Sequence, residues 1–132
     1  ALYERFDRKI NGRREEIVSA EYFYMQDAEV VIIAYGSVAR SVRHVVKTAR
    51  ARGSKIGMLR LKSIWPFADT LVRKATQSAR AVLVPEMNMG QIVREVRAVV
   101  HGVPVFAYNK INGAPITPQD IEKEIGDVYG QL

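Results

Sequence analysis

Two places in the chain set chemically capable side chains directly after an apolar run. Val30-Val31-Ile32-Ile33-Ala34-Tyr35 breaks at Gly36-Ser37, and Ala81-Val82-Leu83-Val84 breaks at Pro85-Glu86-Met87-Asn88-Met89-Gly90-Gln91. A glycine followed by serine at a helix start can offer free amides to phosphate or carboxylate, but the signal is weak and an ordinary cap is the preferred reading of Ser37. The dinucleotide fingerprint needs three spaced glycines, and Tyr35-Gly36-Ser37-Val38-Ala39 supplies one. Glu86 has two readings, a catalytic carboxylate or the partner of Arg60 in a partly buried ion pair. The pair is preferred, because removing either member would strand a charge. Asn88 suits a left-handed turn, with Gly90 opening the next helix. His44 and His101 stand without the Ser and Asp of a triad and without metal-ligand spacing. Met87, Met89 and Trp65 read as packing groups that would also suit a protein interface.

Elements of a particular kind must position these residues. Continuous apolar runs fit parallel strands covered on both faces, and such sheets gather functional groups at their strands' carboxyl ends. From Glu29 onward the pattern is strand then helix, four times over. After the first strand, Val38, Val42, Val45, Val46 and Ala49 make an apolar stripe, with Arg40, Arg43, Lys47 and Arg50 opposite and Gly53 as the stop. Ile56 to Leu61 is the second strand, and Pro66 opens a helix carrying Phe67, Leu71, Val72 and Ala75. The third strand, 81–85, feeds a helix with Ile92, Val93, Val96, Val99 and Val100 on one side, stopped by Gly102. Val103 to Tyr108 is the fourth strand, placed at an edge by Pro104, which cannot donate to a ladder. Thr117-Pro118-Gln119-Asp120 reads as an N-cap, a first-position proline and a first-turn acid. The fold class is therefore α/β, a three-layer α/β/α sandwich with a mainly parallel sheet. Gly36, Ser37, Arg60, Trp65, Glu86, Asn88 and Gln91 are expected along its carboxyl edge as interface or ligand candidates.

Length and composition bound the function. At 132 residues, 48% of them hydrophobic, the chain suits one complete core. No run is long and apolar enough for a membrane span or a signal peptide, so a cytoplasmic location is expected. The absence of cysteine excludes a disulfide, a Cys nucleophile and a cysteine-ligated iron–sulfur cluster within this chain. The net charge of +6 is concentrated between Glu29 and Asp69, where Arg40, Arg43, Lys47, Arg50, Arg52, Lys55, Arg60 and Lys62 meet no acid. A solvated helix face is the ordinary reading of such a run, ahead of an acidic protein partner and of nucleic acid, for which no interleaved aromatics supply a stacking platform. Residues 1–27 differ, with Leu2, Phe6 and Ile10 on one helical face and Tyr22-Phe23-Tyr24 near the end. They read as a linker or docking arm before a domain at 28–132, and the start at Ala1 suggests a piece of a longer chain.

Ala34-Tyr35-Gly36-Ser37-Val38-Ala39-Arg40-Ser41, Leu59-Arg60-Leu61 with Trp65-Pro66-Phe67, Glu86-Met87-Asn88-Met89-Gly90-Gln91 and Ile116-Thr117-Pro118 together resemble the C-terminal part of the alpha subunit of 2-oxoacid:ferredoxin oxidoreductases, the 2-oxoglutarate type above all. The resemblance implies the C-terminal domain fold shared with transketolases. It also implies a parent enzyme that oxidatively decarboxylates a 2-oxoacid with coenzyme A and reduces ferredoxin, using thiamine diphosphate, magnesium and an iron–sulfur cluster. Partners would be the other domain of the alpha subunit, the beta subunit and ferredoxin, in an oligomer without membrane or nucleic acid. Neither the Gly-Asp-Gly diphosphate motif nor the Tyr-Pro-Ile-Thr-Pro substrate loop is present; Ala114-Pro115-Ile116-Thr117-Pro118 only echoes the second. No catalytic residue is carried over, and an accessory assembly role is expected. The rival readings are an independent anion or small-molecule binding domain built on Gly36-Ser37, and nucleic-acid binding through the basic helix, which would show steep salt dependence.

Overall fold

The computed structural model describes residues 20–62, 67–87, 91–110 and 114–132. Trp65, Pro66, Asn88, Met89, Gly90 and the first 19 residues of the expected arm lie outside the described residues. Strands β1 (Ala20–Phe23), β2 (Val30–Tyr35), β3 (Ile56–Leu61), β4 (Ala81–Glu86) and β5 (Val105–Asn109) form one sheet in the order β1-β3-β2-β4-β5. β2, β3, β4 and β5 run parallel, and β1 pairs antiparallel with β3. Helices α1 (Val38–Ala51), α2 (Asp69–Thr76), α3 (Gln91–Val99) and α4 (Pro118–Gly130) cover it.

Alternation along the strands divides the core into two layers. Val30, Ile32 and Ala34 of β2 join Met58 and Leu83 under α1 and α4, with Val42, Val46, Ile121 and Val128 fully or almost fully buried there. Val31 and Ile33 face the other way, with Leu59, Val82 and Val84, against Leu71 and Val72 of α2 and Val93 and Val96 of α3. Burial on both faces is why these strands read as unbroken apolar runs. Ser41 Oγ donates to the Ile116 carbonyl at 3.0 Å, tying α1 to the segment that leads into α4.

Three sequence expectations change. The arm ends inside the sheet, because Ala20 to Phe23 pair with Leu61 to Met58. This strand is too short, at four residues, to show an apolar run, and its partner is remote in sequence. Second, Phe67 precedes α2 instead of lying in it; Asp69 opens the helix, where its charge complements the helix dipole, and Phe67 and Ala68 are buried as the chain turns into it. Third, Arg50 is not on the solvent side of α1. Its Nε donates to the Ile56 carbonyl at 3.0 Å and its Nη2 to the Tyr24 carbonyl at 2.7 Å, and it pairs with Asp27 at 2.6 Å. The guanidinium also lies 5.5 Å from the Tyr24 ring centre. It thereby pins the strap that carries the chain from β1 across the start of β3 to β2. Gly57 lies beneath that strap: a Cβ there would meet the Tyr24 carbonyl oxygen and Ala28 Cβ at 2.8 Å each.

Candidate functional site

The sheet order reverses at β2. The chain leaves β2 for β3 on one side, then returns to β4 on the other, so the carboxyl ends of β2 and β4 diverge and open a crevice. A notch of about 180 Å³ sits there, lined by Tyr35, Gly36, Ser37, Pro85, Met87 and Ile92 among others. Gly36 takes φ +70°, a left-handed turn that suits glycine, and this turn aims α1 away from the sheet. Gly36, Ser37 and Glu86, predicted to share an edge, are thus brought together, and Gln91 is exposed at the first position of α3.

Their roles differ. Ser37 occupies the N-cap position of α1 in helical conformation, and its side chain makes no capping bond. The first turn instead closes tightly, with Ala39 donating to the Gly36 carbonyl at 3.1 Å and Arg40 to the Ser37 carbonyl at 3.3 Å. Ordinary side-chain capping by Ser37 is therefore not what starts this helix. Glu86 is only 6% exposed; its Oε1 accepts from the Ile92 amide at 2.9 Å and its Oε2 from the Val93 amide at 3.0 Å. A carboxylate in this position both satisfies helix-start donors and meets the positive end of the helix dipole. The Glu86 backbone carbonyl accepts from Lys110, which holds the end of β5 to the same corner.

The expected Arg60–Glu86 pair does not form. Arg60 Nη1 donates to Glu21 Oε1 at 2.7 Å, across the β1–β3 ladder where Glu21 and Arg60 are registered opposite one another. Glu86 lies two strands away, beyond β2, and spends its oxygens on α3. The Arg60 hydrogen bond, helped by the charge of Lys62 3.9 Å away, holds the Glu21 carboxyl below its ordinary value. Sequence reasoning could not choose Glu21 without first finding β1.

The basic run divides by location. Arg43 lies 4.7 Å from the Phe23 ring centre, Arg50 is absorbed by the strap, and Arg60 and Lys62 meet Glu21. Arg40, His44 and Lys47 line the outward side of α1, exposed. A third helix start, at α4, is closed by a full capping box: Asp120 N–H donates to Thr117 Oγ1 at 3.1 Å, and Thr117 N–H to Asp120 Oδ2 at 2.9 Å. Lys110 Nζ reaches the same Asp120 oxygen at 2.8 Å, and this hydrogen bond is the main reason the Asp120 carboxyl lies below its ordinary value.

These groups do not suit thiamine diphosphate, magnesium or an iron–sulfur cluster. The chain has no cysteine to ligate iron, and no group of three His, Asp or Glu side chains converges among the described residues. The notch is smaller than the pockets of about 300 Å³ and more that enclose cofactor-sized ligands. Its one buried carboxylate, Glu86, already accepts two amide protons, and negative charge there would repel a diphosphate.

A family model described as pyruvate:ferredoxin oxidoreductase core domain II matches residues 28–121. The chain is 38% identical over 125 residues to the 2-oxoglutarate synthase subunit KorA of Methanothermobacter marburgensis, covering 94% of this chain and 33% of that protein. It thus spans about a third of the length of the curated relatives it matches. A solved 2-oxoglutarate:ferredoxin oxidoreductase from Magnetococcus marinus, with 2-oxoglutarate, coenzyme A and succinyl-CoA bound, superposes with a TM-score of 0.80 at 26% identity, over 95% of this chain and 23% of that one. A split-gene transketolase superposes with a TM-score of 0.67 at 18% identity, over 83% of this chain and 40% of that chain, a likeness of fold alone. Among the described residues, no helix is long and apolar enough to cross a membrane.

Proposed function

Because this chain belongs to the family of the pyruvate:ferredoxin oxidoreductase core domain II, we propose that it is the noncatalytic, C-terminal assembly domain of the alpha subunit of a 2-oxoacid:ferredoxin oxidoreductase. The observation that carries this reading is the commitment of Glu86. The buried carboxylate nearest the crevice engages both of its oxygens with backbone amides at the start of α3, a structural use that supports a noncatalytic reading. The parent enzyme would oxidise 2-oxoglutarate to its acyl-coenzyme A product, a substrate favoured by the 38% identity to a 2-oxoglutarate synthase subunit. Thiamine diphosphate, magnesium and the iron–sulfur cluster would be held by the rest of the complex, in the cytoplasm, with ferredoxin as electron acceptor. The edge carrying Gly36, Ser37, Arg60, Trp65, Glu86, Asn88 and Gln91 would face a neighbouring domain or subunit, and the part of residues 1–27 that precedes β1 would link the domain to it.

The test is turnover. Purified chain supplied with thiamine diphosphate, magnesium, coenzyme A, 2-oxoglutarate and an electron acceptor is expected to show none. The parent subunit lacking this domain is expected to lose association with the beta subunit. Oxidation by the isolated chain, or normal assembly without it, would refute the proposal. Calorimetric titration of the chain with phosphate, nucleotides and 2-oxoacids addresses the rival binding-module reading, for which saturable heat is required and here is not expected.

A further inference from the structure

β1 is seated differently from the strands it joins. β4 is buried along its whole length and β2 along all but Tyr35, whereas β1 buries Ala20 alone, with Glu21 and Phe23 half-buried and Tyr22 exposed. Cations supplement its ladder with β3. Arg60 pairs with Glu21 at 2.7 Å, but the Arg60 side chain is 43% exposed, and an ion pair so open to water adds little. Arg43 lies over the Phe23 ring and Arg50, about two turns further along α1, over the Tyr24 ring. The Arg50 side chain is only 17% exposed, so its bonds to the Tyr24 and Ile56 carbonyls and to Asp27 are the sheltered fastening.

The strap itself is not relaxed. Tyr24 takes φ +57°, the one left-handed residue other than glycine among the described residues, and a tyrosine held there is strained. Beneath it, Gly57 leaves room for the Tyr24 carbonyl, Met25 and Ala28 only because it has no Cβ, so the strap lies flat against the start of β3. It ends at a firm point. Glu29 N–H donates to the Lys55 carbonyl at 2.7 Å and the Glu29 carbonyl accepts from Arg80 N–H at 2.7 Å, which ties this residue to the starts of β3 and β4. The matched family unit begins at residue 28, beside this point and after β1.

We infer that β1 and the strap, residues 20–28, form a latched unit that opens about a hinge at Glu29 while the core of β3-β2-β4-β5 and its four helices stays folded, with Arg50 as the latch. Of residues 20–28 only Ala20 is buried, so their departure leaves both core layers covered by their helices. Strain at Tyr24 favours opening, and the Arg50 bonds oppose it. Release of the latch uncovers the edge of β3 from Met58 to Leu61, so the guanidinium decides whether that edge is closed or open to another strand.

Hydrogen exchange of the full chain, resolved by NMR, reads the latch directly. In the unaltered protein the amides that pair β1 with β3 are expected to be about tenfold less protected than those between β2 and β4. Arg50→Ala should lower the β1 protection by a further factor of about five while β2 and β4 change less than about twofold. The Arg50 bonds go to the strap and to Ile56, so faster exchange in β1 would report strap and strand moving as one. Arg50→Lys, which keeps the charge and loses the fork, should fall between. Equal protection of β1 and β2 in the unaltered protein would overturn the inference, as would protection lost everywhere in Arg50→Ala, or β1 protection unchanged in both variants.

Discussion

The starts of α1 and α3 occupy neighbouring corners of one crevice and are built on opposite plans. At α3 a buried carboxylate from the end of β4 accepts from two backbone amides, so the corner is complete within the domain. At α1 the serine in the cap position makes no side-chain bond, and Tyr35, Gly36 and Ser37 are exposed. The contrast separates structure from recognition. The closed corner maintains the shape of the edge, and the open one is where an incoming surface can act without dismantling anything.

The largest effect is expected where the closed corner is opened. Glu86→Ala strands two buried amides and should lower stability by about 3 kcal/mol, read as a fall in the urea midpoint at unchanged slope. A cost below about 0.5 kcal/mol would remove the distinction between the corners. This also changes what Glu86 substitution means: the loss should register in the folding of the isolated chain, and not only in assembly.

The α4 start supplies an intermediate case, since Thr117 and Asp120 close it by exchange but lie only partly buried. Thr117→Ala should cost about 1 kcal/mol in the same measurement. A value equal to that of Glu86→Ala would mean that burial of the amides is not what makes the α3 corner expensive to open.

Acidification probes this third corner without mutation. The Asp120 carboxyl titrates below its ordinary value of 3.8, so its contribution is fully present above that pH and disappears as the pH falls through the lowered value. NMR titration of the carboxyl should therefore show a midpoint under 3.8, moving upward in Lys110→Ala, whose ammonium makes the leading contribution. An unmoved midpoint would assign the depression to the Thr117 bonds alone.

The smallest effect belongs to the open corner. Ser37→Ala should change stability by less than about 0.5 kcal/mol, because no capping bond is lost. A loss of about 1 kcal/mol would reveal a cap and erase the contrast from the other side.

Sequence made the sandwich legible for a physical reason. Burial on both faces writes Val30–Ala34 and Ala81–Val84 as unbroken apolar runs, and one-sided packing writes the stripe on α1. The Thr117-Pro118-Gln119-Asp120 cap was equally readable, since all its partners are local. What escaped depends on contacts distant in sequence. β1 has one fully covered position in four, Ala20, and takes its identity from a ladder with β3 about forty residues on. The Arg60 partner was hidden with it. The place of Glu86 at the end of an apolar run is legible, but a side chain bonding amides six and seven residues later follows no cap spacing; only the return of α3 over the end of β4 brings them together. Arg50 shares the helical spacing of solvent-facing bases, and nothing in that spacing reveals the strap laid beside it.

The outer position of β5 bears on solubility. Val105 to Asn109 is an uncharged edge of five residues, the sort of segment through which chains stack into fibrils. It is bracketed by Pro104, which has no N–H to extend a ladder, and by Lys110, whose side chain is fastened to Asp120, while the Arg97 guanidinium donates to the Val105 carbonyl at 3.1 Å. These three residues act as gatekeepers, confining any foreign strand to a stretch too short to propagate.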